Sequence, residues 1–563
     1  MDLLLCGSIA LLETLCLKAA VVPDVTSSRD DEPGHGFQRL LLLMSMQYMA
    51  LKIYRIFIYP HCFSPLRHLP GPRDGHFFLG QTINMFRQEY PFSIYVQWVR
   101  QFPGTPVIRY LSFANAEVLV PLTPDALKEV QQTKCYEFNR SRFWLRMVVE
   151  FAGWGIITFD GDAHKASRKM LSTAFSPANV RRTEPIFRNK ASEITKTLSR
   201  ILSATARDGT DDDDTAVVDA IDIMSKATLD IMGVASLGVD LSSLREERGD
   251  GDKPSKAPGH YDFRRAYDTI FAGSAFGKAL TFANSLFPFP VVRWLPLAEN
   301  RRALFAASWI RQTLTRLVRQ RYRQIHDAMT RGTYVDNTSR DLLTFIVEES
   351  GPGDAAEGIP EDEVVGHMIH FMTAGHETSG SVLSWSIYVM ATKPSIQETL
   401  HEEISTVTTK GANPAFSNID RLSYLENFVK EVMRIYSPAA TTHREAAIDL
   451  TLQGVAVPKG TTLDLIPAVT MQSPAVWGDD VDQFDPTRWE RLTDEQASPY
   501  VFSAFSNGPR ICLGKAFALM EIKIILVELV SRFRFLRVER PFRVEVPGLS
   551  TRPQRMEIRF EAR

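Results

Sequence analysis

Phe505-Ser506-Asn507-Gly508-Pro509-Arg510-Ile511-Cys512-Leu513-Gly514 is followed by an apolar, helix-like run from Ala516 to Val530. One cysteine thus sits in a glycine-bearing loop, two residues after an arginine. Backbone N–H groups and a nearby cation stabilise a thiolate in such a setting, and a thiolate is a nucleophile or a metal ligand. The competing reading is a structural cysteine in a β-to-helix turn. The chain holds four other cysteines, Cys6, Cys16, Cys62 and Cys135, the first three in or beside an N-terminal apolar region. No disulfide framework is visible, which fits a catalytic portion kept in a reducing compartment and favours a ligand over a bridge for Cys512.

Upstream, three segments read as partners of this loop. Ala374-Gly375-His376-Glu377-Thr378-Ser379 falls inside a long helical pattern. Glycine in a helix interior costs about 1 kcal/mol relative to alanine, so Gly375 calls for a reason. A hydroxyl beside an acid, Thr378 beside Glu377, makes a proton relay; the bland alternative for Thr378 is donation to the carbonyl four residues back. His376 reads as a packing or surface residue rather than a ligand. Glu431-Val432-Met433-Arg434 sets an acid and a base at i, i+3, where they share a helix face and can pair. Phe484-Asp485-Pro486-Thr487-Arg488-Trp489 supplies another arginine between that helix and the cysteine loop.

With 563 residues, the chain exceeds the ~250–300 at which single cores usually stop growing. One large domain with an N-terminal appendage, or two domains, is possible. A formal net charge of −2 gives no pull toward nucleic acid, and none is expected as a partner. Two apolar stretches precede residue 60: Leu3–Val22, carrying Glu13 and Lys18, and Leu40–Tyr59, carrying Lys52 and Arg55. Each is about 20 residues, enough to cross a bilayer core. The first reads as a signal-anchor, with cleavage after it open; an acidic connector, Thr26–Gly36, follows. The second leads to Arg67, His68 and Leu69-Pro70-Gly71-Pro72, a stiff turn that ends a helix. A helix lying on the membrane surface is the alternative.

Beyond residue 73 the pattern is mainly helical. Amphipathic periodicity predicts helices at Ala220–Leu237, Arg301–Met329, Glu361–Met390, Ser395–Thr406, Leu425–Tyr436 and Ala516–Phe533. Strands are predicted at Pro106–Ser112, Ala116–Leu122, Leu450–Leu452, Thr462–Leu465 and Met556–Phe560. Ala206–Thr215 and Arg245–Gly259 read as solvated insertions.

The loop spacing Phe-x-x-Gly-x-Arg-x-Cys-x-Gly (Phe505, Gly508, Arg510, Cys512, Gly514) resembles the haem-binding loop of the cytochrome P450 family. Ala374–Thr378 resembles its oxygen-activation helix, and Glu431, Arg434 and Arg488 match its buried charge network, in the same order along the chain. The apolar segment and proline hinge resemble the anchor of its microsomal members. The resemblance implies a mainly α fold with a minor β part, a helix-rich triangular domain with small sheets at 73–563, after an anchor and hinge at 1–72. It implies haem b with Cys512 as the axial iron ligand, Glu377 and Thr378 delivering protons to bound dioxygen, and Glu431, Arg434 and Arg488 locking the loop. Gly375 would let a flat cofactor approach. Arg510 and Arg444 match propionate contacts. Gly161–Arg168 resembles the family's Trp-x-x-x-Arg helix, with His164 in place of Trp, so Arg168 and His164 are weaker matches.

The implied activity is oxidation of a bulky apolar small molecule with O2, in terpenoid or polyketide secondary metabolism by likeness to fungal members. The alternative is an isomerase or dehydratase acting on a peroxide, against which the intact Thr378–Glu377 pair argues. Electrons would come from NADPH through a membrane-bound cytochrome P450 reductase, docked on a basic patch including Lys515 and Lys523. The implied location is the endoplasmic reticulum, catalytic domain facing the cytosol. Aromatic residues such as Phe143, Trp144, Phe151, Trp154, Phe276 and Phe282 fall in the pocket segments by analogy, and equally suit core or membrane-facing positions.

Overall fold

The computed structural model describes residues 33–207, 215–244, 262–271, 273–287, 291–332, 341–349, 359–408, 414–546 and 550–563. The expected first apolar segment, most of its connector, most of the Asp-rich insertion and the 245–259 insertion lie outside them.

The frame is a 32-residue helix, Glu361–Thr392, through the middle of the main core. Its ends are written locally. Pro360 precedes it, Glu361, Asp362 and Glu363 fill the first turn against the positive end of the helix dipole, and Pro394 follows its last turn. Most of its residues are buried, so it is apolar nearly all round, as a core helix must be. Ala220–Met232, Ala298–Thr330, Ser423–Ile435 and Lys515–Arg532 pack against it. The last of these carries Ile522, Ile525, Leu526 and Leu529, all nearly inaccessible, which fixes it beneath the central helix.

The expected helices form within a few residues of their predicted bounds. Ala220–Leu237 is divided, with α geometry to Met232 and wider π turns over Gly233–Leu237. The expected strands form too: three lie in a five-stranded sheet ordered Val107–Leu111, Glu117–Pro121, Thr462–Leu465, Thr442–Ala446, Phe138–Arg140, and Leu450–Leu452 pairs with Val455–Val457 in a separate two-stranded sheet. Only the Glu117–Pro121/Thr462–Leu465 pair is parallel. A three-stranded sheet joins Thr215–Asp219, Glu557–Ala562 and Phe533–Leu536. This mainly helical architecture with small sheets is the one expected.

At the N-terminal side, Pro33–Ile53 continues as π turns over Tyr54–Phe63. Leu40–Phe63 is long and apolar enough to cross a membrane and is unburied by the rest of the chain. Its end is tied to the folded domain: Arg109 donates to the Pro60 carbonyl at 2.6 Å and Asn115 to the Ile56 carbonyl at 3.0 Å.

Candidate active site

The cysteine loop owes its shape to a hairpin-like turn. Ser506 and Gly508 adopt positive φ, 58° and 68°. At Gly508 no other residue fits, because a Cβ would lie 2.1 Å from the Gln131 carbonyl oxygen. The Cys512 N–H returns to the Phe505 carbonyl at 2.8 Å and Ile511 N–H to Gly508 at 3.0 Å. Arg168 donates to the Ile511 carbonyl at 2.5 Å, so this residue grips the loop backbone beside the cysteine. Gly514 has ordinary φ, and a Cβ there would meet nothing closer than Phe175 at 3.9 Å, so the protein alone does not require it. Lys515 hangs over the Phe505 ring at 5.7 Å.

The Cys512 side chain is accessible, yet burial pushes its thiol up from its ordinary value against the opposing pull of the Gly514 N–H, Arg168 and Lys515. Accessibility and dense surroundings coexist when Sγ faces a recess. The loop's backbone N–H and the two cations are the groups that favour the thiolate, and burial opposes them. A bound metal would reverse this, since a coordinating thiol is deprotonated outright.

The central helix presents its own opening. Met372, His376, Ser379 and Gly380 are buried, whereas Thr373, Glu377 and Thr378 are partly accessible and Ala374 is exposed, though all sit mid-helix in the core. Positions 373, 374, 377 and 378 share one face, so that face looks onto a void. Thr378 donates to the Ala374 carbonyl at 2.7 Å, the bland alternative for a helical threonine. Glu377 accepts from Tyr267 at 2.8 Å and from Ser550 at 2.6 Å, two groups from distant segments that sequence reasoning missed. Burial, then the Glu377 charge, hold the Tyr267 phenol well above its ordinary value, so it remains the donor. His376 packs edge-on against Tyr267 and bonds to the Met372 carbonyl. Gly375 has a different reason from the one expected: its missing Cβ would lie 2.4 Å from Met232 Sδ, so it admits the neighbouring helix, while Ala374 faces the void.

Beside the cysteine loop lies an excess of positive charge. Arg140 and Arg444 stand directly opposite one another on paired strands, and Arg510 approaches both. Cross-strand like charges destabilise a sheet. Asp160 is the carboxylate that meets them among the described residues, taking Arg510 Nη2 at 2.8 Å and the Arg140 backbone N–H at 2.8 Å. Among the described residues, the Nε atoms of Arg140 and Arg510 are buried with no hydrogen-bond partner, and Arg444 reaches only the neighbouring His443 carbonyl at 3.2 Å. Burial first and the neighbouring arginines second push Arg140 well down and Arg444 to about 10. His164, bonded to the Tyr136 hydroxyl at 3.2 Å, is pushed to about 3 by burial and then by Arg510, Arg140, Arg168 and Arg444. Arg140, Tyr136 and Asp160 carried no local motif; the register of the Arg140 strand on the Arg444 strand is what brings them in.

Glu431, Arg434 and Arg488 meet in full burial. Glu431 accepts from Arg434 Nε and Nη2 (2.8 and 2.9 Å), Arg488 Nε (3.0 Å), the Asp485 N–H (3.0 Å) and the Trp489 indole (3.1 Å). Further arginine donors reach the carbonyls of Met471, Asp480 and Gln483, and Arg488 also pairs with the Asp480 carboxylate at 3.4 Å. This pins the segment that leads into the cysteine loop. Lys523 does not join a surface patch: it is buried and paired with Asp420 and Glu426 at 2.7 and 2.6 Å, leaving Lys515 as the exposed lysine there. Among the expected pocket aromatics, Phe151 is buried beneath Arg293. Phe282 sits among Phe86, Phe113 and Phe143, while Trp154, Phe276 and Phe287 are exposed.

The cytochrome P450 family model matches residues 69–560. The chain is 31% identical over 536 residues to cytochrome P450 monooxygenase FUM15 of Gibberella moniliformis, covering 86% of this chain and 85% of the relative. It is 30% identical over 515 residues to cytochrome P450 monooxygenase sphH of Aspergillus fumigatus, covering 89% of each. Cytochrome P450 monooxygenase 205 of Postia placenta is 27% identical over 545 residues, covering 93% of this chain and 96% of the relative. The chain belongs to the cytochrome P450 family and is a P450 monooxygenase, which implies a haem-thiolate iron cofactor.

Proposed function

We propose that this cytochrome P450 holds haem b through Cys512 and oxidises a bulky apolar small molecule with O2 and electrons from NADPH–cytochrome P450 reductase. The observation that carries the reading is the cationic cluster beside the cysteine loop. Arg140, Arg444 and Arg510 share one carboxylate, and two buried Nε atoms lack an acceptor. Two haem propionates supply the missing negative charge and acceptors, so the residues present fit the group. Arg510, Arg444 and Arg140, with His164 and Tyr136, would hold the propionates; Arg168 would brace the loop from Ile511; Phe505, Gly508 and Gly514 would shape it.

The haem supplies oxygen activation, with the thiolate favouring O–O cleavage. The chain's own residues order the proton. Thr378 Oγ1 stands on the face that opens to the void, parked on the Ala374 carbonyl. Glu377 is held one residue away by the Tyr267 and Ser550 hydroxyls, which occupy both its oxygens. Rotation of Thr378 off its carbonyl and exchange of one Glu377 partner for water would connect the two. Glu431, Arg434 and Arg488 do no chemistry; they keep the loop's approach rigid.

Aromatic side chains around Phe282 suit a bulky apolar substrate, and we assign the class to terpenoid or polyketide secondary metabolism. Residues 1–72 serve as anchor and hinge and 73–563 as the catalytic portion, on the cytosolic face of the endoplasmic reticulum, given Lys52 and Arg55 late in the apolar run and Arg67 after it. The reduced, CO-bound absorption spectrum tests the core of this reading. Wild type should show the strongly red-shifted Soret band of thiolate-ligated haem and Cys512→Ala should not; a wild-type spectrum without that shift would sink it.

A further inference from the structure

The apolar helix that ends at Phe63 carries a break near its end. Pro60 stands inside the turns Tyr54–Phe63 and has no N–H, so the Ile56 carbonyl loses its α-helical donor. The turns are wide, and the Ser64 N–H goes to the Tyr59 carbonyl at 2.8 Å rather than to Pro60. Two carbonyls, those of Ile56 and Pro60, thus have α-helical donors that are missing or diverted. Where water is scarce, such groups need other donors.

The folded domain supplies one to each. Asn115 Nδ2 donates to the Ile56 carbonyl at 3.0 Å and to the Phe77 carbonyl at 2.8 Å. Asn115 is buried at φ 52°, after Ala114 at 54°. Left-handed backbone at two successive non-glycine residues is uncommon and persists where the surroundings fix it. Arg109 Nη2 donates to the Pro60 carbonyl at 2.6 Å, while its Nε pairs with Glu117 at 2.7 Å. Ser64 Oγ donates to the same Glu117 oxygen at 2.6 Å. Arg109 and Glu117 are diagonal neighbours on paired strands, with side chains only 10% and 14% exposed, so theirs is not a solvated surface pair. Phe57 stacks on Phe77 and Phe78.

The proline turn at 70–72 is held by the same strand. The Arg109 N–H donates to the Pro70 carbonyl at 2.9 Å, and a Cβ on Gly71 would lie 1.8 Å from the Arg109 carbonyl oxygen. Arg109 therefore grips the connecting segment at both ends, with its side chain at Pro60 and its backbone at Pro70. Its strand is one edge of the five-stranded sheet, and Arg444 and Arg140 stand on the last two strands at the other edge.

We propose that Arg109 and Asn115 dock the domain onto the Pro60 break, so that 54–72 is a fixed strut rather than a swivel and the haem keeps one tilt to the bilayer. The inference rests on the anchor and haem readings above.

The test uses the haem-loaded full chain in phosphatidylcholine vesicles. A polarised flash releases CO from the haem, and the absorption anisotropy left at long times reports how far the haem wobbles against the membrane. Wild type should keep a large residual anisotropy. The double variant Arg109→Met, Asn115→Ala should lose most of it while its CO-bound Soret band stays in place. Pro60→Ala lies outside the domain and returns an N–H to Ile56, and it should lose most of it too. Full decay in wild type overturns the docking, as does retention in either variant. Limited trypsin cleavage at Arg67 and Arg73 gives a second readout that needs no haem. The double variant should be cut about tenfold faster than wild type, and equal rates overturn the proposal. A wild type without the red-shifted Soret band would strike the haem-thiolate reading, and one that alkaline carbonate strips from the vesicles would strike the membrane-crossing reading. The trypsin comparison decides the docking in either case.

Discussion

Two clusters of buried arginine in this molecule have opposite balances. Around Glu431, one carboxylate receives five donors, and Arg434 and Arg488 send further N–H groups to backbone carbonyls and, from Arg488, to the Asp480 carboxylate. Around Asp160, three arginines converge on one carboxylate, two Nε atoms find nothing, and a histidine in their midst is held neutral. The first cluster is satisfied among the described residues. The second lacks acceptors there, which the haem propionates of the proposed function would supply. An unsatisfied buried donor is costly, so a protein that keeps several of them together is shaped for something that the chain does not supply.

The largest effect that separates the clusters comes from Glu431→Ala. It leaves Arg434 buried without a carboxylate and Arg488 with only the looser Asp480 contact at 3.4 Å, and breaking a buried pair this way costs about 3–5 kcal/mol. Thermal unfolding of apo and haem-loaded protein should show both forms strongly destabilised. A change confined to the loaded form would mean that the network serves binding after all.

Arg444→Met should do the reverse. Among the described residues Arg444 makes no bond beyond the His443 carbonyl, and it is repelled by Arg510, so the apo protein should keep or slightly gain stability. Haem should dissociate about tenfold to a hundredfold faster, as expected for a charge-assisted hydrogen bond worth ~1.5–3 kcal/mol. Haem transfer to a scavenging globin measures this. An apo form as destabilised as that of Glu431→Ala would erase the distinction.

The two clusters also differ in how far the sequence reveals them. Glu431 and Arg434 are one turn apart, and Arg488 follows in a Pro-containing segment, so pattern alone finds the core of that network. The central helix is equally readable, because Pro360, three acidic residues and Pro394 mark its ends locally. The cationic cluster depends on which strand pairs with which. Arg140 enters through its register on Arg444, and Asp160 through a loop some twenty residues on. Tyr267 and Ser550 reach Glu377 from separations of 110 and 173 residues, beyond any periodicity. Where spacing misled, at Gly375 and Lys523, the side of the helix was not readable. Both face neighbouring elements, Met232 and the Asp420–Glu426 pair, rather than the cofactor or solvent.

The smallest effect is a slope against pH. His164 is lowered to about 3 in the fold from an ordinary 6.5. Between these values the unfolded chain binds a proton that the folded chain refuses, so this residue's contribution is fully present above about pH 6.5 and is lost as pH falls toward about 3. Glu521 runs the other way: raised from 4.5 to about 8, it contributes stability below about pH 4.5 that is lost as pH rises through about 8. His164→Gln should therefore flatten only the acid side of the apo protein's melting temperature. Part of the His164 shift comes from the uncompensated arginines, so propionates bound to them should raise its folded value and shallow the acid loss in haem-loaded wild type. Equal acid slopes with and without haem would mean that burial alone, and not the unpaired cluster, sets the histidine.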